Sequence, residues 1–365
     1  MMPRADQVED PTALKFYKEA TLYEKEADKA VTCNLCAHRC YVPAGREGIC
    51  KVRVNHEGVL HTLVYDRVIS ANIDPVEKKP LFHFLPGSSV FSIATVGCNF
   101  HCRYCQNWEI SQLPKLREGA LPGEKLAPKE IVTLALETGC KSIAYTYTEP
   151  TIFFELAYDT AKLAAEAGLR NIFVTNGYMT PEALRMIQPY LHAVNIDLKG
   201  FDDKRHRRMS GAKLQPVLDS IALAKQLGIW LEVTTLVVPG HNDSDEELRQ
   251  IALFLSYIDP HIPWHLSAFF PAYKMMEVEP TDRESLLRAR QIGKGAGLHH
   301  VYCGNLSALH EDTICQRCDK ILVRRVGFYV RSNLLDRGRC PFCHAAVPGV
   351  WDGEFTSAGN RAEIH

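Results

Sequence analysis

The sequence predicts an α/β protein, with a partial (β/α)6-type barrel between an N-terminal cysteine-rich module and a C-terminal zinc-ribbon-like module. Strand-like runs alternate with amphipathic segments through the middle of the chain, which favours parallel strands joined by helical crossovers. Cysteines with C-x2-C-type spacing cluster on both sides of that region. We therefore expect domains at 1–88, 89–306 and 307–365.

The composition indicates a globular protein, because 46% of the 365 residues are hydrophobic and 23% are charged. The chain has 42 Lys and Arg residues against 43 Asp and Glu residues, so we expect neither nucleic acid nor a membrane as a partner. Its start lacks an apolar signal region, and we expect a cytoplasmic protein. The chain has thirteen cysteines, and in a reducing compartment the clustered ones indicate metal ligands rather than disulfides.

The N-terminal extension carries a four-cysteine module with the spacing C-x2-C-x3-C-x9-C. Its members are Cys33, Cys36, Cys40 and Cys50. Two glycines in "AGREGIC" suit a tight metal-binding loop, and His38 is a spare ligand candidate. The spacing is not that of ferredoxin repeats, and it leaves both zinc and an auxiliary iron–sulfur cluster open.

In the central domain, each strand-like run is followed by a polar loop. Strands are expected at 90–97, 142–148, 171–177, 193–199, 231–240 and 264–270, with a seventh at 300–305. Between them, "TIFFELAYDTAKLAAEAG" and "SDEELRQIALFLSYI" have the apolar period of helices. In β/α barrels the chemistry lies on the loops that follow the strands. The segments "GCNFHCRYC", "YTEP", "TNG", "DLKG" and "VPGHND" all fall there, which predicts a single site.

The first of these loops contains three cysteines in the pattern C-x3-C-x2-C, namely Cys98, Cys102 and Cys105. Thiolates are the usual ligands of a 4Fe–4S cluster, and three of them leave one iron without a protein ligand. An open iron lets a small molecule bind the metal, whereas structural metal sites are closed by a full ligand set. The alternative is a zinc site completed by His101.

These motifs resemble those of the radical S-adenosylmethionine (SAM) superfamily. The segments "CNFHCRYCQNWEIS", "YTYTEPTIFFE", "VNIDLKGF" and "FFPAYKM" are most similar to the radical SAM member of the AmmeMemoRadiSam system, which is related to pyruvate formate-lyase activating enzymes. The resemblance implies that the three thiolates bind a 4Fe–4S cluster and that SAM chelates the fourth iron through its amino and carboxylate groups. It also implies cleavage of SAM to methionine and a 5′-deoxyadenosyl radical that abstracts hydrogen.

The resemblance also assigns roles to residues of other loops. Tyr104 would offer a backbone contact to adenine, and Glu149 would hold the methionine amino group. The chain has Tyr and Thr at 147–148, where glycines are usual in the family. Asn176 and Gly177 match the family's "TNG" loop. The alternative for Glu149 is a carboxylate that only stabilises the start of the following helix.

Three further positions complete the implied site. Asp197 matches a residue that holds a monovalent cation, Lys199 one that holds SAM, and His265 one that contacts SAM. Charge agrees with these roles, because a zwitterionic ligand needs an anion such as Glu149 and a cation such as Lys199. The alternatives are a surface ion pair between Asp197 and Lys199, and a core histidine at 265.

Past residue 306, two C-x2-C pairs bracket a strand-rich segment. They are Cys315 and Cys318, and Cys340 and Cys343. Two such knuckles suit a closed tetrahedral zinc site, with an auxiliary iron–sulfur cluster as the alternative. Of the isolated cysteines, Cys140 and Cys303 are expected to pack in the core.

The leading functional hypothesis is an enzyme that generates a radical from SAM. The first alternative is an activase that installs a glycyl radical on a partner protein, and the second is a non-catalytic metal-binding scaffold. A reductant of the ferredoxin or flavodoxin type is expected, and the family association suggests Memo-like and AMMECR-like partners by analogy. The sequence does not identify the substrate.

Overall fold

The computed structural model describes residues 18–117, 119–306, 309–351 and 355–356. The outermost parts of the predicted terminal domains, 1–17 and 357–365, lie outside the described residues. The strands are, in chain order, β1 (Lys18–Glu19), β2 (Tyr23–Lys25), β3 (Val31–Cys33), β4 (Tyr41–Val42), β5 (Arg53–His56), β6 (Val59–Thr62), β7 (Arg67–Val68), β8 (Ser70–Pro75), β9 (Ser89–Ala94), β10 (Glu124–Lys125), β11 (Ser142–Tyr145), β12 (Arg170–Thr175), β13 (Ala193–Asp197), β14 (Trp230–Val237), β15 (Trp264–Ala268), β16 (Val301–Gly304), β17 (Thr313–Ile314), β18 (Ile321–Val326), β19 (Tyr329–Asn333), β20 (Gly349–Val350) and β21 (Phe355–Thr356).

Helices fill most of the connections in the central region. The α-helices are α1 (Trp108–Ser111), α2 (Leu113–Leu116), α3 (Pro128–Glu137), α4 (Phe154–Glu166), α5 (Pro181–Ile187), α6 (Asp203–Ser210), α7 (Gln215–Gln226), α8 (Asp245–Ile258) and α9 (Arg283–Gly295). Short 3-10 turns cover Ala27–Lys29, Val76–Lys78, Pro150–Phe153 and Gln188–Tyr190.

The central sheet has eight strands in the order β16-β15-β14-β13-β12-β11-β9-β8. All neighbours from β9 to β16 are parallel, so the predicted α/β class with a mostly parallel sheet is confirmed. The seven expected strands correspond to β9 and β11–β16. They end earlier than expected, because the last residues of several predicted runs belong to the loops that carry the polar motifs.

One strand of this sheet was not predicted. β8 pairs antiparallel with β9 and lies within the expected N-terminal extension. Most of its side chains are half-buried or exposed, as is usual for an edge strand. An edge strand of this kind lacks the apolar pattern from which strands are read.

The helices start and pack as their sequences indicate. The hydroxyl of Ser244 accepts the N–H of Glu247 at 3.3 Å and caps α8. Leu248, Ile251 and Leu255 then form the buried face of that helix. The amphipathic period therefore predicted this crossover correctly.

The N-terminal module is anchored to the central region by a buried ion pair. Nη2 of Arg53 in β5 donates to Oε1 of Glu155 in α4 at 2.7 Å, and Nη1 donates to Oε2 at 3.1 Å. The backbone N–H of Thr21 donates to the same carboxylate at 2.7 Å. Such bidentate geometry offsets the cost of burying both charges.

The C-terminal module packs against residues 82–85, which precede β9. Nη2 of Arg325 in β18 donates to the carbonyl oxygen of Phe82 at 2.6 Å. The backbone N–H of Val350 donates to the carbonyl oxygen of His83 at 2.7 Å. The backbone N–H of Leu85 donates to the carbonyl oxygen of Val350 at 2.6 Å. The C-terminal module is thus attached to the central region through main-chain hydrogen bonds.

Candidate active site and metal centres

The three-cysteine loop follows β9 and is held by its neighbours. The backbone N–H of His101 donates to the carbonyl oxygen of Ser210 at 2.7 Å, and that of Arg103 donates to Met209 at 3.0 Å. Both acceptors lie at the C-terminal end of α6. Free carbonyl groups at a helix end need such partners, so the helix fixes the loop.

The three thiols are not arranged for a single metal ion. Across the described residues, three or more ligand atoms come within 4.8 Å of one another only in the C-terminal cysteine set. Cys98, Cys102, Cys105 and His101 therefore do not form the zinc site considered as an alternative, and His101 is exposed beside Gly211. Thiolates of a cubane bind different irons and need not converge on one point, so this arrangement is compatible with a cluster.

Lys115 in α2 clamps the cysteine loop. Its Nζ donates to the carbonyl oxygen of Cys98 at 2.6 Å and to that of Phe100 at 2.8 Å. Burial lowers the pKa of this ammonium, whereas the nearby thiols, Cys98 first among them, act in the opposite direction. Lys115 therefore places a positive charge where thiolates would lie. Nothing in the sequence marked it.

Burial keeps the thiols of Cys98 and Cys102 protonated when no metal is present. It raises the pKa of Cys102 to about 12, and it raises that of Cys98 further. Metal coordination deprotonates a thiol outright, so these side chains become anionic only as ligands. The site therefore suits thiols that are charged only when a cluster is bound.

Glu149 is buried at the centre of a hydrogen-bond network. Its Oε1 accepts from the backbone N–H of Thr151 at 3.1 Å and from the hydroxyl of Thr175 at 2.7 Å. Its Oε2 accepts the backbone N–H of Asn176 at 2.8 Å. Burial raises the pKa of this carboxyl group, and the hydrogen bonds act in the opposite direction. Glu149 caps the turn at Pro150–Phe153, as the alternative interpretation expected, but Oε2 keeps acceptor capacity.

One residue of the preceding pair, Tyr147, has a glycine-like backbone. Tyr147 has φ 61°, in the left-handed region that glycine adopts without strain. Its hydroxyl donates to Asp74, and the ammonium of Lys79 lies 4.3 Å from its ring centre. The amide of Asn107, from the cysteine loop, donates to the carbonyl oxygen of Tyr147 at 2.8 Å. Side-chain contacts thus hold a conformation that glycines supply in the family.

The "TNG" loop joins Glu149 to the cysteine loop. Nδ2 of Asn176 donates to Oδ1 of Asn99 at 2.8 Å and lies 3.9 Å from Sγ of Cys98. Gly177 has φ 70°, and a Cβ there would lie 2.7 Å from Cγ2 of Ile196. Only glycine fits this position without a shift. Asn99 lies within the C-x3-C segment. That position could have indicated that Asn99 connects the cysteine loop to a neighbouring loop.

Tyr104 and Lys199 line a cavity of about 290 Å³, counted with its opening to solvent. Nζ of Lys199 donates to Oδ2 of Asp197 at 2.9 Å and lies 5.8 Å from the ring centre of Tyr104. Burial lowers the pKa of Lys199, but the charge of Asp197 and the thiol of Cys102 outweigh it, so the pKa is raised. The side chain of Lys199 is 13% exposed and that of Asp197 is 35% exposed, which differs from an ordinary surface pair.

His265 is a hydrogen-bonded core residue in the same sheet row as Asp197. The register pairs Asp197 with Thr234 and Thr234 with His265. Nε2 of His265 lies 2.6 Å from Oε2 of the buried Glu232, and its ring stacks on Tyr302 at 5.3 Å. The alternative interpretation, a core histidine, describes these contacts.

The C-terminal thiols form a compact set of four. Sγ atoms of Cys315 and Cys343 are 3.6 Å apart, as are those of Cys318 and Cys340. The residue after each knuckle is left-handed, with φ 56° at Asp319 and 59° at 344. Tetrahedral thiolates on zinc at about 2.3 Å would be about 3.8 Å apart, so the spacing suits one ion.

The N-terminal cysteines and the two isolated ones are also defined. Cys33, Cys36, Cys40 and Cys50 line one cavity. His38 lines the same cavity, and its Nε2 lies 2.9 Å from the carbonyl oxygen of Asn99. Cys140 and Cys303 are buried, as expected.

Comparison with known proteins identifies the class. The family described as the radical SAM superfamily matches residues 92–255, which include the cysteine loop, Glu149 and Lys199. The chain thus contains a radical SAM superfamily domain, and the members of that superfamily are enzymes.

Individual relatives cover most of the chain or its central region. An uncharacterized protein of Methanocaldococcus jannaschii is 42% identical over 330 residues, 89% of this chain and 97% of that protein. A second protein of that organism, provisionally named a glycyl-radical enzyme activating enzyme, is 26% identical over 213 residues, 56% of this chain and 77% of its own. A GTP 3′,8-cyclase of Helicobacter pylori is 24% identical over 245 residues, 62% and 74% respectively. Within the described residues, no helix combines the length and apolarity needed to cross a bilayer.

Proposed function

We propose that the protein is a radical SAM enzyme whose 4Fe–4S cluster is held by Cys98, Cys102 and Cys105. The observation that carries the proposal is a loop of three thiols whose sulfur atoms do not all lie within 4.8 Å of one another, as ligands of one ion would. Three thiolates would leave one iron of a cubane without a protein ligand. When bound, the cluster would supply the electron that cleaves SAM to methionine and a 5′-deoxyadenosyl radical, which abstracts hydrogen from a substrate.

Residues around the loop would bind and orient SAM. Glu149 would accept the methionine ammonium on Oε2, which has one protein donor, while Lys199 would pair with the SAM carboxylate. The backbone at Tyr104 would contact adenine. Asn176 would hold Glu149 and the cysteine loop in a fixed relation through hydrogen bonds to both.

Two other residues of the resemblance have weaker support. The Lys199 ammonium already lies 2.9 Å from the Asp197 carboxylate, so a monovalent cation would have to share that group, and we do not include one. His265 is hydrogen-bonded to Glu232. We therefore assign His265 a structural role in the interior of the sheet rather than a direct contact with SAM.

For the C-terminal set we propose one zinc ion. Its support is the spacing of the four sulfur atoms, all within 4.8 Å of one another. A closed thiolate site has no open position for a substrate, so its role would be to fold the module that packs on residues 82–85.

A glycyl-radical activase is the second candidate, favoured by the relative with that provisional name. We also propose a cytoplasmic location and a reductant of the ferredoxin or flavodoxin type. Memo-like and AMMECR-like proteins are proposed as partners on motif resemblance alone.

The test is anaerobic reconstitution followed by dithionite and SAM, with detection of 5′-deoxyadenosine. The wild-type protein should form it, and Cys98→Ala should not. Cys140→Ala is the matched control, because Cys140 is also buried but lies outside the loop. Product from Cys98→Ala, or reconstituted protein with zinc and no iron, would contradict the proposal, and the latter would favour the scaffold. Repeating the reaction with a candidate partner, and recording EPR for a glycyl radical, tests the activase.

A further inference from the structure

The cysteines of the N-terminal module surround a cavity of about 380 Å³, counted with its opening to solvent. Cys33 ends β3, and its backbone N–H donates to the carbonyl oxygen of Cys40 at 2.9 Å, immediately before β4. A Cβ on Gly48 would lie 3.8 Å from Sγ of Cys40 and 4.0 Å from Sγ of Cys50, so both thiols approach this glycine. Apolar side chains form much of the remaining wall, including Leu35, Val42, Leu60 and Ile152.

The spacing of these thiols differs from that of the C-terminal set. All four C-terminal sulfur atoms lie within 4.8 Å of one another, and no three of the N-terminal ones do, although all belong to described residues. A tetrahedral zinc site needs sulfur atoms about 3.8 Å apart. The N-terminal thiols therefore stand around a volume larger than one ion.

Two residues that line the cavity each have a buried N–H group without a partner. Across the described part of the chain, Nε of Arg53 and Nδ2 of Asn99 are buried and have no hydrogen-bond acceptor. Both residues line this cavity. Buried donors without acceptors are costly, and cluster sulfur atoms are acceptors that hydrogen bonds are known to tune. The two Nη groups of Arg53 are engaged by Glu155, so Nε is the guanidinium N–H group left for such an acceptor.

We propose that Cys33, Cys36, Cys40 and Cys50 bind a second 4Fe–4S cluster rather than zinc. Four thiolates would give each iron a protein ligand, so this cluster would have no open position for SAM. Such a closed cluster suits electron transfer.

The second site adjoins the first. Gly97 directly precedes Cys98. A Cβ placed on Gly97 would lie 3.4 Å from the carbonyl oxygen of Cys50. His38 contacts the carbonyl oxygen of Asn99, which lies between the first two cysteines of the central loop. One electron from a ferredoxin- or flavodoxin-type donor would reduce the N-terminal cluster, and its transfer would reoxidise that cluster and reduce the central one. This relay, unlike the metal assignment, depends on the proposed function.

The metal assignment is tested on the full chain after anaerobic reconstitution with iron and sulfide. The wild-type protein should contain about eight irons, and the Cys98→Ala/Cys102→Ala/Cys105→Ala variant should keep about four, with a 4Fe–4S Mössbauer spectrum. Each should contain about one zinc, which also reports a folded C-terminal module. A triple variant with two zinc ions and no cluster would overturn the proposal.

A second variant, Cys33→Ala/Cys36→Ala, should keep about four irons in the central site. Retention of about eight would overturn the assignment. Because the triple variant lacks the proposed SAM-binding thiols, its iron count is independent of whether SAM is cleaved. For the relay, we compare the EPR spectrum of the fully reduced wild type with the sum of the spectra of the two reduced variants. The wild-type signals should be broader than that sum, because neighbouring paramagnetic clusters interact. An unbroadened sum would contradict the adjacency.

Discussion

Replacement of Glu149 by glutamine changes one atom at the centre of the proposed SAM site. Oε1 accepts two N–H or O–H groups of Thr151 and the hydroxyl of Thr175, whereas Oε2 accepts only the N–H of Asn176. The glutamine oxygen should therefore replace Oε1, since three donors converge there. Its NH2 group would then face the N–H of Asn176 and, in the complex, the SAM ammonium.

The size of the effect follows from these contacts. Loss of a charge-assisted hydrogen bond costs about 1.5–3 kcal/mol, which corresponds to a roughly 10- to 150-fold weaker SAM affinity. The unpaired N–H of Asn176 should lower the free energy of unfolding by about 1–3 kcal/mol. Iron content should be unchanged, because Glu149 is not a ligand in the proposal.

Anaerobic equilibrium dialysis with labelled SAM measures the affinity, and urea unfolding measures the stability. Glu182→Gln is the matched control, because that carboxylate lies just after the "TNG" loop but is exposed and pairs with Arg39. It should bind SAM as the wild type does. If Glu149→Gln retains its iron and binds SAM within about twofold of the wild type, the assigned role is wrong.

Three further predictions concern the fold. Gly177→Ala should lower the free energy of unfolding by about 2–4 kcal/mol, because its Cβ would meet Ile196 and φ is positive. Gly168→Ala also has a positive φ, 81°, but open space around the Cβ, so it should cost only about 1–2 kcal/mol. Urea unfolding measures both variants. Burial lowers the pKa of His83 to about 4, so the unfolded chain takes up this proton first. Stability should therefore fall between pH 7 and 5, with His83 contributing about 2 kcal/mol, and His83→Gln should flatten the slope in urea unfolding. Chelation of the zinc proposed for the C-terminal set should disrupt the β17–β19 sheet and the contact between Arg325 and Phe82, which thermal unfolding and hydrogen exchange measure.

Other results would contradict these predictions. Equal stability of the two alanine variants would remove the packing argument for Gly177. An unchanged slope in His83→Gln would mean that His83 does not titrate differently on folding. A C-terminal sheet that keeps its hydrogen-exchange protection after complete metal removal would show that the metal does not fold it.

The parallel strands and the cysteine spacings could be read from the sequence, because both are local patterns. The strand-and-helix period located β9 and β11 to β16, and C-x3-C-x2-C identified the loop after β9. β8 could not be found in this way, because its exposed edge position leaves no apolar pattern. The left-handed Tyr147 was also hidden, since only its contacts with Asp74 and Lys79 replace the expected glycines.

Other features depend on distances that no sequence pattern contains. Lys115 is hydrogen-bonded to Cys98, which lies 17 residues earlier in the chain. His265 is hydrogen-bonded to Glu232, which lies 33 residues earlier. The two outer cysteine modules look alike as C-x2-C patterns, yet their sulfur atoms have different spacing. The metal preference of each module is therefore a three-dimensional property.

The central claim is that SAM binds directly to an iron that the polypeptide leaves open. Electron–nuclear double resonance on the reduced wild-type protein, with SAM labelled by 15N in its amino group and 17O in its carboxylate, tests this contact. The proposal predicts hyperfine coupling of both labels to the central cluster, lost in Cys98→Ala. A reduced cluster that shows no coupling to either label while SAM is bound would contradict it.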